Sequence, residues 1–397
     1  MIKTIESAAD LAINGAPPAF AEPLHVGRPN LSDRNVFDRY LDRIYESRWL
    51  TNNGPLVVEL EDKIASYLGV KQCVAMCNGT IALEIAIRAL DLKGEVIVPS
   101  FTFIATAHAL SWQGIKPVFA DIDPMTHNLN PESVEKMITP STTGVIGVHL
   151  WGRPAPVDEL QEIAESNKLK LIFDAAHAFG CSTNGTKVGN FGECEVMSFH
   201  ATKFFNTFEG GAVVTNNDEL AAKMRLMRNF GFAGIDNVIH PGTNGKMTEV
   251  CAAMGLSNFD GIDSLLETNR KNYEAYQQNL ADVDGITLRA YDDVERSNYQ
   301  YIVVEVSDTF PITRDQIIDV LTAENVLARK YFWPGCHMMS PYKESQPHAG
   351  LMLSNTNLVA NKIIVLPTGT SVSESAISQI CNILEVLSNH KELSVAS

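Results

Sequence analysis

The sequence has few basic residues for its length, no long apolar run and no regular cysteine spacing, and each lack excludes a class of protein. Lysine and arginine together number 31 against 47 aspartates and glutamates, a formal net charge of −16. An acidic surface repels a phosphodiester backbone, so we expect no nucleic-acid partner. No apolar stretch approaches the ~20 residues that cross a bilayer, and no secretory signal pattern is recognisable. The absence of a long apolar run and of a signal pattern predicts a cytoplasmic protein with no membrane association.

The seven cysteines follow neither a disulfide nor a zinc-binding spacing. Their number is odd and most lie in apolar stretches, which is typical of reduced thiols in the cytoplasm. Cys73 and Cys77 lie four positions apart, but no second pair of cysteine or histidine residues follows them. We therefore expect neither a disulfide framework nor a bound metal ion.

Short apolar runs alternate with helical patterns over the first two thirds of the chain. Most of these runs are continuous rather than alternating, as in strands buried on both faces of a sheet. Strands that alternate with helices predict an α/β domain with a mostly parallel, seven-stranded sheet. The seven candidate strands are Gln72–Met76, Glu95–Pro99, Pro117–Ile122, Gly144–Leu150, Leu169–Phe173, Glu195–Ser198 and Gly211–Thr215.

The length of 397 residues exceeds one compact domain and predicts several parts. Residues 1–30 are rich in proline and predict an N-terminal arm. Residues 31–255 contain the predicted strands and form the large domain. Beyond this point, charged helices and few strands predict a smaller α+β domain over residues 256–397.

The segment Asn78-Gly79-Thr80 follows a candidate strand and begins a candidate helix. Glycine allows a ligand to approach the backbone closely, and a helix N-terminus offers free N–H groups to a phosphate. Thr80 adds a hydroxyl group. The same pattern also fits an ordinary helix N-cap, so this segment alone leaves both interpretations open.

Asp174 lies at the carboxyl end of a candidate strand, where open α/β sheets bind ligands. Its carboxylate could pair with a protonated pyridine nitrogen, cap a helix or bind a metal ion. The small residues Ala175 and Ala176 favour a flat group packed against this backbone. His177 is either part of such a site or a buried, hydrogen-bonded histidine.

Lys203 follows another candidate strand and lies among aromatic and small residues. Burial would lower the pKa of the ammonium group and make the amine a nucleophile for a carbonyl carbon. Considered alone, a lysine in such a segment is more often an ordinary surface lysine. A phosphate cradle, a strand-end aspartate and a desolvated lysine in this chain order are, however, the three groups that a pyridoxal 5'-phosphate (PLP) site needs.

From about Leu50 to Thr370 the sequence resembles the DegT/DnrJ/EryC1/StrS family of sugar aminotransferases, within the fold-type I, aspartate aminotransferase-like PLP enzymes. The stretch from Ser198 to Gly211 carries the most specific part of this resemblance. The resemblance implies a Schiff base between Lys203 and PLP, which becomes pyridoxamine 5'-phosphate during turnover. By position it implies further cofactor contacts: Asp174 to the pyridinium nitrogen, His177 near the ring oxygen, Phe103 over the ring, and Gly79, Thr80 and Ser198 at the phosphate.

The resemblance also implies a homodimer, in which Asn244 reaches the phosphate in the neighbouring subunit's site. Where relatives often have Asn-Tyr-Arg, this chain has Asn244-Gly245-Lys246, which loses the bidentate fork of arginine. The segment Arg329–His337 resembles the part of the family near the sugar nucleotide, although its aromatic residues also fit a packed hydrophobic corner. The candidate substrate residues are Asn53, Lys246, Lys330, Trp333 and His337, with Trp49 a further one.

The activity that the resemblance implies is transfer of an amino group from L-glutamate to a nucleotide-linked keto-6-deoxyhexose. We expect dTDP-4-keto-6-deoxyglucose as the acceptor, in the synthesis of O-antigen or another glycan. A 3-aminotransferase of the same branch is an alternative. A PLP-dependent dehydratase is a second alternative, although Lys203 stands where such enzymes have histidine, and a regulatory protein that kept the fold is a third.

Overall fold

A computed structural model describes residues 5–389 of the chain. In chain order the strands are β1 (Leu24–His25), β2 (Gln72–Met76), β3 (Glu95–Pro99), β4 (Lys116–Ala120), β5 (Thr142–Val148), β6 (Lys170–Asp174), β7 (Ser182–Thr183), β8 (Thr186–Lys187), β9 (Cys194–Ser198), β10 (Gly211–Thr215), β11 (Ile286–Leu288), β12 (Ile302–Val306), β13 (Val326–Leu327) and β14 (Ile363–Leu366). The α-helices are α1 (Arg34–Ser47), α2 (Pro55–Leu68), α3 (Gly79–Ala89), α4 (Ala105–Ser111), α5 (Pro131–Met137), α6 (Val157–Asn167), α7 (Asp218–Met227), α8 (Glu249–Asp260), α9 (Ile262–Leu280), α10 (Arg314–Ala323), α11 (Ser340–Ser345), α12 (Ser354–Ala360) and α13 (Glu374–Asn389).

The predicted seven-stranded sheet is confirmed. Its strand order is β2-β10-β9-β6-β5-β3-β4. β10 runs antiparallel to both of its neighbours, and the other pairs are parallel. The continuous apolar runs form these strands because helices cover both faces of the sheet, so that inward and outward side chains are equally buried.

Three predicted strands are displaced along the chain, one of them by a single residue, from Leu169–Phe173 to Lys170–Asp174. The strand predicted at Pro117–Ile122 is Lys116–Ala120, and the one predicted at Gly144–Leu150 is Thr142–Val148. In both cases the apolar run continues past the last paired residue into a buried turn. Burial alone therefore does not mark where a strand ends.

Helices on the two faces of the sheet bury different sets of side chains. On one face, α3, α4 and α7 pack their apolar residues, among them Leu83, Leu110 and Met224, against the strands. On the other face, α2 and α8 cover the sheet with residues such as Leu60 and Leu256. This three-layer packing holds the carboxyl ends of the parallel strands at one edge of the sheet.

A smaller antiparallel sheet of β11, β12 and β14 forms a second centre of packing. Its core includes side chains of α9, α10 and α13. Residues of the N-terminal segment, such as Leu11 and Phe20, are buried in the same core. Glu324 fixes this segment, since its carboxylate accepts hydrogen bonds from the backbone N–H groups of Ala12 at 2.5 Å and Ala19 at 2.6 Å.

The division into an arm (1–30), a large domain (31–255) and a small domain (256–397) stays a proposal. The core of the second packing centre supports it. One later segment nevertheless packs on the large sheet, since Cys336, Tyr342 and Leu353 are buried against α3 and α4. Within residues 5–389, each helix is too short or too polar to cross a membrane.

Candidate active site

A cavity of about 520 Å³ lies at the carboxyl edge of the parallel strands. It brings together groups that are far apart in the sequence: the N-terminus of α3, the ends of β6 and β9, the loop before β10, and residues near β12 and α11. Of the sequence-predicted site residues, the cavity is lined by Gly79, Thr80, Phe103, Asp174, His177, Ser198 and Lys203.

The N-terminus of α3 forms one end of this cavity. Asn78 is the N-cap, and its side chain accepts a hydrogen bond from the backbone N–H of Ile81 at 2.8 Å. The first-turn N–H groups of Gly79 and Thr80, which line the cavity, have no acceptor within the helix and are available to an anionic group. A Cβ atom on Gly79 would lie 3.0 Å from the Cβ atom of Ser198. Glycine therefore lets Ser198 approach the helix end, and the three residues form a cradle for a phosphate.

Asp174 is a buried carboxylate at the end of β6, held by two donors. The Thr106 hydroxyl donates to Oδ2 at 2.8 Å, and the Ala176 backbone N–H donates to Oδ1 at 3.1 Å. Burial raises the pKa of Asp174, while these two hydrogen bonds and the charge of Lys203 oppose the rise. The carboxylate is thus oriented and suited to pair with a cationic ring nitrogen.

His177 is buried between aromatic rings and is neutral. Its ring stacks on Trp151 and Phe332 with centroid distances of 5.9 and 5.8 Å. Burial and the charge of Lys203 hold the pKa of His177 well below its ordinary value. The Trp151 backbone N–H donates to Nδ1 at 3.3 Å, so the ring proton of the neutral form lies on Nε2. His177 can therefore donate a hydrogen bond to an oxygen atom of a ligand.

Lys203 lies in the loop between β9 and β10, with its amine directed into the cavity. Burial lowers the pKa of Lys203 to about 8, and the negative charge of Asp174 opposes this shift. The amine donates a hydrogen bond to the Tyr301 hydroxyl oxygen at 3.3 Å. A substantial fraction of the amine is therefore neutral near pH 8, as attack on a carbonyl carbon requires.

Aromatic side chains from two parts of the chain form the outer wall. Phe103 is 56% exposed, which leaves its face free for a ligand. Its ring centroid lies 6.3 Å from that of Phe332, and Tyr331 stacks on Phe332 at 5.2 Å. A planar ring bound at Asp174 would lie among these aromatic groups.

Asn53, Lys246 and Asn244 lie outside this cavity. Asn53 and Lys246 line a separate pocket of about 190 Å³. There the Arg228 guanidinium donates to Asn53 Oδ1 at 2.6 Å, while the Lys246 amine lies 4.7 Å from the centroid of the Phe230 ring. Asn244 is exposed beside this pocket. None of the three reaches the Lys203 cavity of its own subunit, so their predicted roles stay predictions.

Lys330 and Trp333 line a second cavity of about 440 Å³, which shares Thr102, Phe103, Tyr331 and Phe332 with the first. The Lys330 amine lies 4.8 Å from the centroid of the Trp333 ring and 3.1 Å from Asp315 Oδ1. Trp49, half exposed in the turn after α1, lines neither cavity.

His337 lines neither cavity, so its predicted role at the sugar stays a prediction. Its side chain is buried, and both ring nitrogens already have partners. Nδ1 lies 2.7 Å from the Ser100 hydroxyl oxygen, and Nε2 lies 3.1 Å from Asn357 Oδ1. The Arg329–His337 segment thus has two parts. Its first half lines the second cavity, whereas His337 anchors the end of the segment to the loop that follows β3.

Several residues of the cavity were not predicted from the sequence. They are Thr102, His200, Thr202, Glu209 and Tyr301 in the cavity lining, with Thr106 behind it as a donor to Asp174. The sequence did contain a signal that could have identified Thr106, because this residue lies in the first turn of the helix that follows Phe103. Tyr301 had none, since only the tertiary fold brings it to Lys203 over a separation of 98 positions.

The residues of the cavity fit PLP. The α3 cradle suits a phosphate, buried Asp174 suits a protonated pyridine nitrogen, and the amine of Lys203 suits an aldehyde. Within residues 5–389, no group of three or more histidine, cysteine or acidic side chains is arranged to hold a metal ion. Fold and site together define a fold-type I PLP enzyme.

The chain belongs to the DegT/DnrJ/EryC1/StrS aminotransferase family, which it matches over residues 32–385. It is a PLP-dependent aminotransferase. It is 38% identical over 361 residues to the dTDP-4-amino-4,6-dideoxy-D-glucose transaminase of Shigella dysenteriae, covering 90% of this chain and 97% of that protein. It is 36% identical over 324 residues to the GDP-perosamine synthase of Caulobacter vibrioides, covering 80% and 86% of the two chains.

Among solved structures, the chain is similar to DesI crystallised with its TDP-sugar product. The two share 47% sequence identity and superpose with a TM-score of 0.93, covering 97% of this chain and 98% of DesI. This similarity extends over both packing centres and all the cavity-forming elements.

Proposed function

We propose that the protein transfers an amino group from L-glutamate to the C4 keto group of dTDP-4-keto-6-deoxyglucose. The observation that carries this proposal is the near-complete coverage of a dTDP-4-amino-4,6-dideoxy-D-glucose transaminase at 38% identity. The similarity to DesI, which was crystallised with a TDP-sugar product, supports the same class of acceptor. The product would serve the synthesis of O-antigen or another glycan.

When bound, PLP supplies an electron sink and a carrier for the amino group. The protein holds the reacting groups and moves protons. Asp174 would keep the ring nitrogen protonated, and the Thr106 hydroxyl holds the Asp174 carboxylate in place at 2.8 Å. His177 would donate from Nε2 to the ring oxygen, and the end of α3 would bind the phosphate.

Lys203 would be the group that carries a proton in both halves of the reaction. With PLP bound, its amine would lie where it could accept a proton from the amino donor and give one back, and it would play the same part toward the sugar. A pKa of about 8 suits both directions, because neither the protonated nor the neutral amine is rare near that pH.

The second cavity has the position and chemistry for the nucleotide part of the substrate. It shares four lining residues with the Lys203 cavity, and it carries the Lys330 amine, paired with Asp315, beside the half-exposed ring of Trp333. A diphosphate would meet the amine, and a base or sugar face would meet the aromatic ring.

We also propose that the enzyme is a cytoplasmic homodimer. Residues 230–239 form a loop, called here the 230–239 loop. It exposes large apolar side chains: Phe230, Phe232, Ile235, Val238 and Ile239. Ile235 is 95% exposed, and an apolar group of this size is typical of an interface rather than of a free surface. Asn244 follows this loop, which fits a role in the partner's cofactor site.

All seven cysteines are free thiols, which favours a reducing compartment.

Product analysis tests the acceptor. The purified enzyme would be given L-glutamate with dTDP-4-keto-6-deoxyglucose, with the 3-keto isomer, or with the GDP-linked 4-keto sugar, and the products examined by NMR. We expect an amine at C4 of the dTDP sugar and release of 2-oxoglutarate. Amination only at C3, a preference for the GDP sugar, or loss of water without consumption of glutamate would each contradict the proposal.

A further inference from the structure

The free amine of Lys203 has a single hydrogen-bond partner among residues 5–389, the hydroxyl oxygen of Tyr301 at 3.3 Å. No ion pair holds this amine within the same residues, although Asp174 lies near enough to affect its pKa. Lysine has four rotatable side-chain bonds, so its amine needs a partner to occupy one position. The geometry therefore makes Tyr301 the group that determines where the amine lies.

Tyr301 is itself held from both sides. Its ring centroid lies 4.6 Å from that of His177 and 5.4 Å from that of Trp151. Its backbone carbonyl accepts a hydrogen bond from the Tyr291 hydroxyl at 2.9 Å. Burial raises the pKa of Tyr301 above its ordinary value, so the phenol stays protonated and neutral over the working range of pH. A fixed, neutral acceptor thus faces a mobile amine.

We propose that Tyr301 is a positioning residue that holds the Lys203 amine beside the cofactor whenever the amine is not bonded to it. This inference rests on the proposed function, because a transaminase frees its lysine in each half-reaction and needs it as the proton carrier. Without the phenol oxygen, the amine would sample several rotamers and spend less time within reach of the reacting carbon. The ring would still pack on His177 and Trp151, so the cofactor site itself would stay formed.

The test compares Tyr301→Phe with Tyr299→Phe. Tyr299 is two positions away, its ring packs on Tyr291 at 4.9 Å, and it does not line the cavity. Each variant loses one phenol hydroxyl and keeps its ring. Circular dichroism and retention of cofactor on gel filtration would show that both variants are folded.

The first readout is the titration of Lys203 rather than turnover. The protein is loaded with pyridoxamine 5'-phosphate, which leaves the lysine free, and is pulse-labelled with acetic anhydride between about pH 6 and pH 10, around the range where lysines titrate. Mass spectrometry then gives the reactivity of Lys203 at each pH. The titratable groups that line the cavity with Lys203 are common to both variants, apart from Tyr301 itself: Asp174, His177, His200, Glu209 and Tyr331.

We expect the midpoint of Lys203 labelling to fall by about half a pH unit in Tyr301→Phe, because the ammonium form loses an acceptor. The midpoint of Tyr299→Phe should equal that of the wild type. Identical labelling curves in wild type and folded Tyr301→Phe would overturn the proposal. This comparison needs neither glutamate nor sugar, so it decides the role of Tyr301 even if the proposed substrates prove wrong.

The second readout is the first half-reaction with L-glutamate, followed by stopped-flow absorbance. We expect its rate to fall about tenfold or more in Tyr301→Phe, since orientation of the proton carrier is lost. The deuterium isotope effect with α-deuterated glutamate should increase, because proton transfer becomes the slow step. A Tyr301→Phe variant with wild-type rate and isotope effect would contradict the positioning role.

Discussion

The site of Lys203 must meet two requirements that oppose each other in water. The amine must be partly neutral, and the site must still hold it close to the cofactor. Burial lowers its pKa to about 8, and the Asp174 carboxylate limits that shift. The amine can therefore attack a carbonyl carbon and afterwards carry a proton, which a surface lysine with a pKa near 10.4 does poorly at neutral pH.

Replacing Lys203 by alanine should abolish transamination while leaving a cofactor site. We expect Lys203→Ala to bind PLP reversibly, through the α3 cradle and Asp174, without the visible absorbance of the lysine-bound cofactor. Turnover should fall by about 10²–10⁴-fold or more, the usual contribution of a proton-transfer group. Lys187→Ala, at a lysine outside the cavity, is the matched control. Transamination at the wild-type rate by Lys203→Ala would show that Lys203 is not the catalytic lysine.

We expect Thr106, through its hydrogen bond to Asp174, to determine the pH below which activity is lost. Its hydroxyl donates to the carboxylate and stabilises the ionised form, so Thr106→Val should raise the pKa of Asp174. Activity requires the carboxylate form and is lost below that pKa. The acid limb of kcat/KM should therefore move to higher pH by about one unit, the equivalent of one hydrogen bond to a charged group.

The pH profile of Ser133→Ala provides the comparison for Thr106→Val. The Ser133 hydroxyl also lies beside a buried aspartate, but it accepts a hydrogen bond from the Asp121 backbone N–H at 2.7 Å and lies outside the cavity. Its acid limb should match that of the wild type. An unmoved acid limb in Thr106→Val would show that Asp174 is not the group that titrates there.

At the scale of elements, the phosphate cradle depends on close contact between β10 and the N-terminus of α3. A Cβ atom on Gly211 would lie 2.6 Å from the backbone nitrogen of Gly79 and from the carbonyl carbon of Asn78. Backbone atoms cannot yield as a flexible side chain can. The glycine at the start of β10 is therefore part of the cofactor site although it does not line the cavity.

Gly211→Ala should displace the cradle and weaken cofactor binding. We expect the dissociation constant for PLP, measured by equilibrium dialysis after removal of the cofactor, to rise about tenfold, which corresponds to ~1.4 kcal/mol. Gly261→Ala is the control, because an added Cβ atom there would meet nothing nearer than 3.9 Å. Equal PLP affinity in Gly211→Ala and wild type would mean that the cradle does not bind the phosphate.

The elements also explain which parts of the site the sequence could predict. Gly79, Asp174 and Ser198 follow or end strands of one parallel sheet, so strand patterns alone bring them to a common edge. The strand pattern could not bring Tyr301 there, because its position depends on how β12 and the second packing centre meet the large sheet. His337 was assigned to the substrate because it lies in a motif, yet its two hydrogen bonds to Ser100 and Asn357 use both ring nitrogens.

At the scale of the whole molecule, the 230–239 loop exposes several large apolar side chains close together in the sequence. Its apolar side chains are exposed between α7 and α8, next to the pocket that contains Lys246. A second copy that covers this loop would bury these apolar side chains. Sequence resemblance suggested the dimer, but only the fold shows which apolar residues are left exposed.

An acidic residue in this loop should separate the subunits. We expect Ile235→Asp to sediment as a monomer and to lose most activity, because a charge buried in an interface without a partner costs several kcal/mol. Val294→Asp is the control, since Val294 is 92% exposed and lies far from this loop in the sequence. A dimeric, fully active Ile235→Asp would place the interface elsewhere.

The most direct test of the account is the absorbance spectrum of the freshly purified protein before and after addition of L-glutamate. We expect visible absorbance from PLP bound to Lys203, its disappearance with glutamate as the amino group passes to the cofactor, and its return when dTDP-4-keto-6-deoxyglucose is added. A protein that has this absorbance but does not respond to glutamate, or that never acquires it with added PLP, would contradict the account.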